Sequence, residues 1–146
     1  MSPIVIWGLP LPAVLVDWIQ RGRWGGDFDQ GLVDDLFPDN GGLTLYTQTM
    51  MEEETRGCRH PEFQIPMWLG RTDADAPPGD IDPLKTLLIA DLGLGTDQPI
   101  VLDYRPSLER PRVLTLRWST GGSENRWVEI ASDIEAFARK IDLRVD

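Results

Sequence analysis

Ile89-Ala-Asp-Leu-Gly-Leu-Gly-Thr-Asp-Gln-Pro-Ile-Val-Leu-Asp-Tyr-Arg105 reads as strand, turn, strand. Residues 87–89 form a short apolar run. Gly93, Gly95, Asp97 and Pro99 are turn formers, and residues 100–104 resume the apolar pattern with β-branched Ile100 and Val101 at its start. So many turn formers imply a connection longer than a tight hairpin loop. Along the second strand Asp103 shares a face with Val101 and Arg105, opposite Ile100, Leu102 and Tyr104.

Toward the carboxy terminus, residues 112–118 alternate, with Leu114, Leu116 and Trp118 on one face and Val113, Thr115 and Arg117 on the other. A loop containing Gly121 and Gly122 follows, and then residues 127–131 supply a further, antiparallel strand. Ser132 and Glu135 have the spacing of a capping box, and Ile134, Phe137, Ala138 and Ile141 recur at helical spacing behind it.

Toward the amino terminus, residues 71–82 carry Asp73, Asp75, Asp80 and Asp82 among Pro77, Pro78 and Gly79, and read as a mobile loop. Residues 63–69, with two aromatics, Ile65 and Met67 around Pro66, suggest an irregular or edge strand. Thr49 and Glu52 suggest a capping box for a brief acidic helix over 50–56, in which Glu52 and Arg56 are spaced to pair. Residues 43–47 alternate as a half-buried strand does. Asp29 caps a helix carrying Leu32, Val33, Leu36 and Phe37, which Pro38 ends. Pro12 opens an earlier helix whose face is Val14, Leu15, Trp18 and Ile19 and whose stop is Gly22. Trp24 lies just beyond it and is expected to fold back on the helix end. Residues 4–7 suggest a short edge strand. Early and late helices with strands grouped in the second half make an α+β protein, a largely antiparallel central sheet with helices packed on one face.

At 146 residues the chain suits a single domain, residues 1–146. Its 24 acidic against 14 basic residues give a formal net charge of -10. That charge repels nucleic-acid phosphates, and the 12 arginines and two lysines, Lys85 and Lys140, form no basic patch to compensate. Such acidity serves solubility and also suits a basic partner. Cys58 is the only cysteine, so no intramolecular disulfide forms and a reducing cytoplasm is the expected home. The uncharged run at residues 3–16 lacks the basic start of a signal peptide, is broken by Pro10 and Pro12, and is too short to span a bilayer.

No constellation announces a reaction. Gly93-Leu-Gly95 lacks the third glycine of a dinucleotide fingerprint, and Gln98-Pro99 stands where a helix would have to open. Cys58, His60 and Glu62 alternate in a loop without the further ligands a metal site needs, and their spacing is not that of a nucleophile and its base. The acids of 73–82 lack the glycine and the bidentate glutamate of a calcium loop. Ser119, Thr120 and Ser123 lack a nucleophile elbow. No catalytic residue, metal ligand or cofactor is therefore expected. Asp91, Asp97 and Asp103 have two readings: acids paired within the fold, as Asp103 would be with an arginine, or an exposed group presented to a basic partner.

Several stretches resemble the SUKH superfamily, in particular its Smi/Knr cell-wall-assembly-regulator type. They are Leu92-Gly-Leu-Gly-Thr-Asp-Gln-Pro-Ile-Val-Leu-Asp-Tyr-Arg105, Pro111-Arg-Val-Leu114, Trp127-Val-Glu-Ile-Ala131 and the final helix with Phe137. Leu11-Pro-Ala-Val-Leu15, the Gly22-Arg-Trp24 turn, Phe37-Pro38 and Leu43-Thr-Leu-Tyr46 extend the likeness over most of the chain. The long loop at 71–82 departs from it. The resemblance implies an α+β fold with a central sheet flanked by helices, and function by protein binding. Bacterial members are regarded as immunity proteins that neutralise toxins, often nucleases, and fungal members as regulatory scaffolds. The expectation is a cytoplasmic, non-enzymatic binding protein, first an immunity protein and alternatively a scaffold for an endogenous partner. Its expected partner is a protein such as a basic toxin domain, neither nucleic acid nor membrane, and its oligomeric state is open. Trp24, Asp73, Asp75, Asp91, Asp97, Asp103 and Trp118 are the candidate contact residues, chosen from charge and loop position, with exposed tryptophans the better anchors.

Overall fold

A computed structural model describes residues 2–93, 98–119 and 124–146. Its centre is an antiparallel sheet in the order β3 (Thr44–Leu45), β4 (Thr86–Asp91), β5 (Pro99–Asp103), β6 (Arg112–Arg117) and β7 (Arg126–Ala131). Consecutive strands pair antiparallel; the connections from β4 to β7 are short, whereas residues 46–85, with α3, separate β3 from β4. The strands read around residues 89–105 thus form the middle of the sheet. Gly93 explains part of that turn: its φ is +120°, and a Cβ there would meet the backbone of Gly41 at 2.7 Å. Gly95 and Asp97 lie outside the described residues.

Alternation along β4, β5 and β6 is masked, because both faces are buried. Leu87, Leu88, Ile100, Val101, Val113 and Leu114 are all inside. The register places Leu88, Asp91, Pro99, Val101, Asp103 and Leu114 on one face, and Leu87, Ile100, Leu102 and Val113 on the other. Helices therefore flank both faces rather than one. α5 (Ile134–Lys140) lies against β6 and β7, burying Ile134, Phe137 and Ala138. Its N-cap is Asp133, which accepts from the Ala136 N–H, one residue later than the capping-box pattern suggests. α1 (Ala13–Gln20) buries Leu15, Val16 and Trp18 and follows a small hairpin of β1 (Val5–Ile6) and β2 (Leu9–Pro10). α2 (Gln30–Leu36) is capped by Asp29 as expected.

α3 (Gln48–Cys58) packs on β4. It begins earlier than its sequence pattern suggests, with Thr47 accepting from the Met50 N–H. Glu52 meets Gln48 rather than Arg56. Met51 and Thr55 face the sheet, and the buried Thr55 hydroxyl accepts the Leu88 N–H at 3.0 Å, where the register shifts between Leu88 and Ala90. A bulge frees that amide from its ladder, and the threonine satisfies it.

Residues 61–69 form no strand. Pro61–Phe63 is a single 3₁₀ turn and α4 (Pro66–Leu69) a single α turn, each with proline in its first turn, where the missing N–H costs nothing. α4 is tied to the sheet by the indole N–H of Trp127, which donates to Trp68 O at 2.7 Å, and by the Asn125 amide, which donates to Met67 O. The loop at 71–82 is anchored too: Gly79 exchanges backbone hydrogen bonds with Trp127, and Pro78 and Gly79 are buried. No described helix is long and apolar enough to cross a membrane.

Candidate functional site

α3 has a second face beside the one it buries. Met50, Glu53, Glu54 and Gly57 recur at i, i+3, i+4 and i+7, so they share one side of the helix. That side borders an open cleft of about 560 Å³, within the range of ligand-holding clefts. Its apolar lining includes Leu88, Trp68, Phe63, Leu69, Ile81 and Trp127. Asp91 and Tyr46 line it as well.

Among the described residues, the charged ones lining the cleft are Glu53, Glu54 and Asp91, all acidic. Asp91 is held in place by the Tyr46 hydroxyl, which donates to it at 2.9 Å, and by the Gly93 N–H at 2.9 Å. Burial first, then the bond to Asp91 and the charges of Asp91 and Glu54, push the Tyr46 hydroxyl far above its ordinary range. It remains a protonated donor. Cys58 also borders the cleft, and burial raises its thiol pKa despite the charge of Arg59. A thiol held protonated is a poor nucleophile. His60 turns to local work, its Nδ1 accepting from the Glu62 N–H. No group of three or more His, Cys, Asp or Glu among the described residues is placed to hold a metal ion.

An aromatic ladder leads out of the cleft. Trp68 meets Phe63 edge-on at 5.3 Å between ring centroids, and Trp118 meets Trp68 at 5.5 Å and 89°. Ile65, Met67 and Trp118 are each more than a third exposed beside it. The cleft is thus continuous with an apolar surface.

The residues picked from sequence scatter around this site. Asp91 lines it, and Trp118 reaches it through Trp68. Asp103 is wholly buried between Arg105 (3.0 Å) and Arg112 (2.8 Å), so it offers no surface to a partner, and the arginine-paired reading is the one observed. Asp73 serves its own loop, accepting from the amides of Asp75 and Ala76, with Arg126 at 3.8 Å. Asp75 is exposed there. Asp80 bonds Arg105, and Asp82 caps the 3₁₀ turn Pro83–Lys85. Trp24 folds back as expected, parallel to Trp18 at 6.4 Å with its N–H on Tyr46 O. It is only half-buried, but its polar edge is committed to the fold. Asp97 lies outside the described residues. Sequence reasoning missed Glu53, Glu54 and Gly57, for which the helical i, i+3, i+4, i+7 spacing behind Met50 was the available signal.

No protein-family model, curated protein or solved structure matches this chain.

Proposed function

We propose that the chain is a non-enzymatic protein-binding domain, an immunity protein that neutralises a bacterial toxin by direct binding. One observation carries the reading: an open, largely apolar cleft, whose charged lining residues among those described are Glu53, Glu54 and Asp91, runs into an exposed aromatic surface. Binding interfaces use such surfaces, with aromatic anchors at the centre and charge to steer the encounter. The resemblance of residues 92–105 to SUKH proteins supplies the class of partner, and the net charge of -10 favours a basic toxin domain such as a nuclease.

Co-expression tests the proposal. The chain is expressed in cells carrying one toxin domain at a time from a panel of basic nucleases and other toxins, and growth is scored. Rescue from one particular toxin, with a stable complex of the two purified proteins, is the expected result. Growth unaffected by the chain across the panel, together with a stable complex to a host protein, would mark a regulatory scaffold instead.

A further inference from the structure

We infer that the cleft beside α3 holds a segment of the partner protein in which a large apolar side chain is flanked by lysine or arginine. The inference rests on the protein-binding reading and adds the chemistry of what is bound.

Charge comes first. Glu53 and Glu54 stand on the cleft side of α3 and Asp91 at the end of β4, and no cation among the described residues lines the cleft. Neither glutamate enters an ion pair with a cation of the chain among the described residues. Carboxylates collected at the mouth of a low-dielectric cleft repel each other and focus a negative potential, which a cation at the rim relieves. An arginine or lysine also lays its aliphatic stem along apolar surface while its head reaches the acids.

Space comes second. Gly57 lies in the last turn of α3, one residue from its end, where glycine is still a poorer helix former than alanine. Neither its backbone nor its surroundings require a glycine. Its φ is not in the left-handed region, and a Cβ there would meet nothing within 4 Å outside its own helix. Gly57 lines the cleft, and its missing side chain leaves that part of the lining open to a bulky group.

Extent comes third, and favours a polypeptide over a free amine. The apolar surface continues from the cleft along Trp68 to Trp118 and the exposed Ile65 and Met67. A small cation would fill the cleft and leave that ladder bare, whereas a chain segment covers both. Nucleic acid and anionic lipid are disfavoured by the same carboxylates, and a second copy of this chain would bring one acidic rim against another.

The test uses the whole chain against a random peptide library displayed on phage, with parallel selections on Gly57→Phe, which plugs the cleft, and on Glu53→Lys/Glu54→Lys, which reverses the rim. Both sites are exposed, circular dichroism confirms each fold, and either variant suffices if the other misfolds. Expected are enriched peptides with Lys or Arg bracketing Trp, Phe, Leu or Met, whose affinity falls at least about tenfold in each variant and weakens with salt. No enrichment, enrichment of acidic or uncharged peptides, or equal binding by the variants overturns the inference. So does a dimer of the wild type that Gly57→Phe dissolves, which would make a second copy the occupant. Toxin rescue separates the two levels: if Gly57→Phe still rescues growth, the cleft inference falls and the immunity reading stands. If basic apolar peptides bind the cleft but no toxin is neutralised, the reverse holds.

Discussion

Asp103 is the residue on which the interior electrostatics turn. Burial, the largest single influence, pushes its pKa up, but hydrogen bonds from Arg105 and Arg112 outweigh it and hold the carboxyl below its ordinary value. Arg105 also bonds Asp80, so one carboxylate links the sheet to the loop that covers it. Removing it leaves Arg112 without its carboxylate and Arg105 with Asp80 alone, the two cations keeping 24% and 27% of their surface exposed. That residual exposure places the cost of Asp103→Asn at about 3 kcal/mol, the low end for breaking a buried pair. The expected result in urea is a lower midpoint at unchanged slope. The pH dependence follows in sign. A carboxyl depressed in the folded state binds its proton more readily when unfolded, so its contribution is full above the unfolded pKa of about 3.9 and fades as pH falls toward the lower folded value. Wild-type stability should therefore drop below about pH 4 more steeply than that of Asp103→Asn, measured as urea midpoints across that window.

Helix α3 carries both the packing of the cleft and its rim, and its two ends make separable demands. Thr47 satisfies the Met50 amide, so Thr47→Ala should cost about 1 kcal/mol. Gly57→Ala should stabilise by about 0.5–1 kcal/mol, because the new methyl meets no neighbour and the unfolded chain loses freedom. Opposite shifts in thermal midpoint for the two variants are the check. Elements like α3 show how far sequence carries. Its existence was legible from Met50 and the acidic run, but its start was misplaced, because Thr49 and Glu52 imitate a capping box while Thr47 has Met50 three residues on. Ser132 and Glu135 displaced the cap of α5 from Asp133 in the same way. Phe63, Ile65 and Trp68 suggested a strand because aromatic and β-branched residues favour strands, and Pro66 was read as the mark of an irregular or edge strand, whereas Pro61 and Pro66 each stand in the first turn of a short helix.

At the scale of the whole molecule, the strand pair around residues 89–105 and the antiparallel pair at 112–118 and 127–131 were readable because the partners are near in sequence, whereas the pairing of β3 with β4 and the cleft were not. The walls of the cleft come from Tyr46 through Trp127, and no local pattern joins residues so far apart. What closes those distances is the loop at 71–82, pinned to β7 by Gly79. Gly79 has φ +75°, and a Cβ would collide with the Arg71 carbonyl oxygen and with Asp73. Gly79→Ala should therefore cost about 3 kcal/mol or more and loosen the cleft wall with it, read as a loss of tryptophan emission shift on partial denaturation before the global transition. Charge acts over the same scale. With 24 acids against 14 bases, the folded chain repels itself more than the expanded one does, and the exposed ion pairs that oppose this, such as Arg21 with Asp17, are individually weak. Raising sodium chloride shortens the screening length from about 10 Å at 0.1 M to about 3 Å at 1 M. If net repulsion dominates, the thermal midpoint rises with salt near neutral pH, and the rise shrinks as acidification neutralises the carboxylates. A midpoint that falls with salt would show instead that the ion pairs outweigh the repulsion, which would require the Asp103 network to respond to screening although its carboxylate is wholly buried.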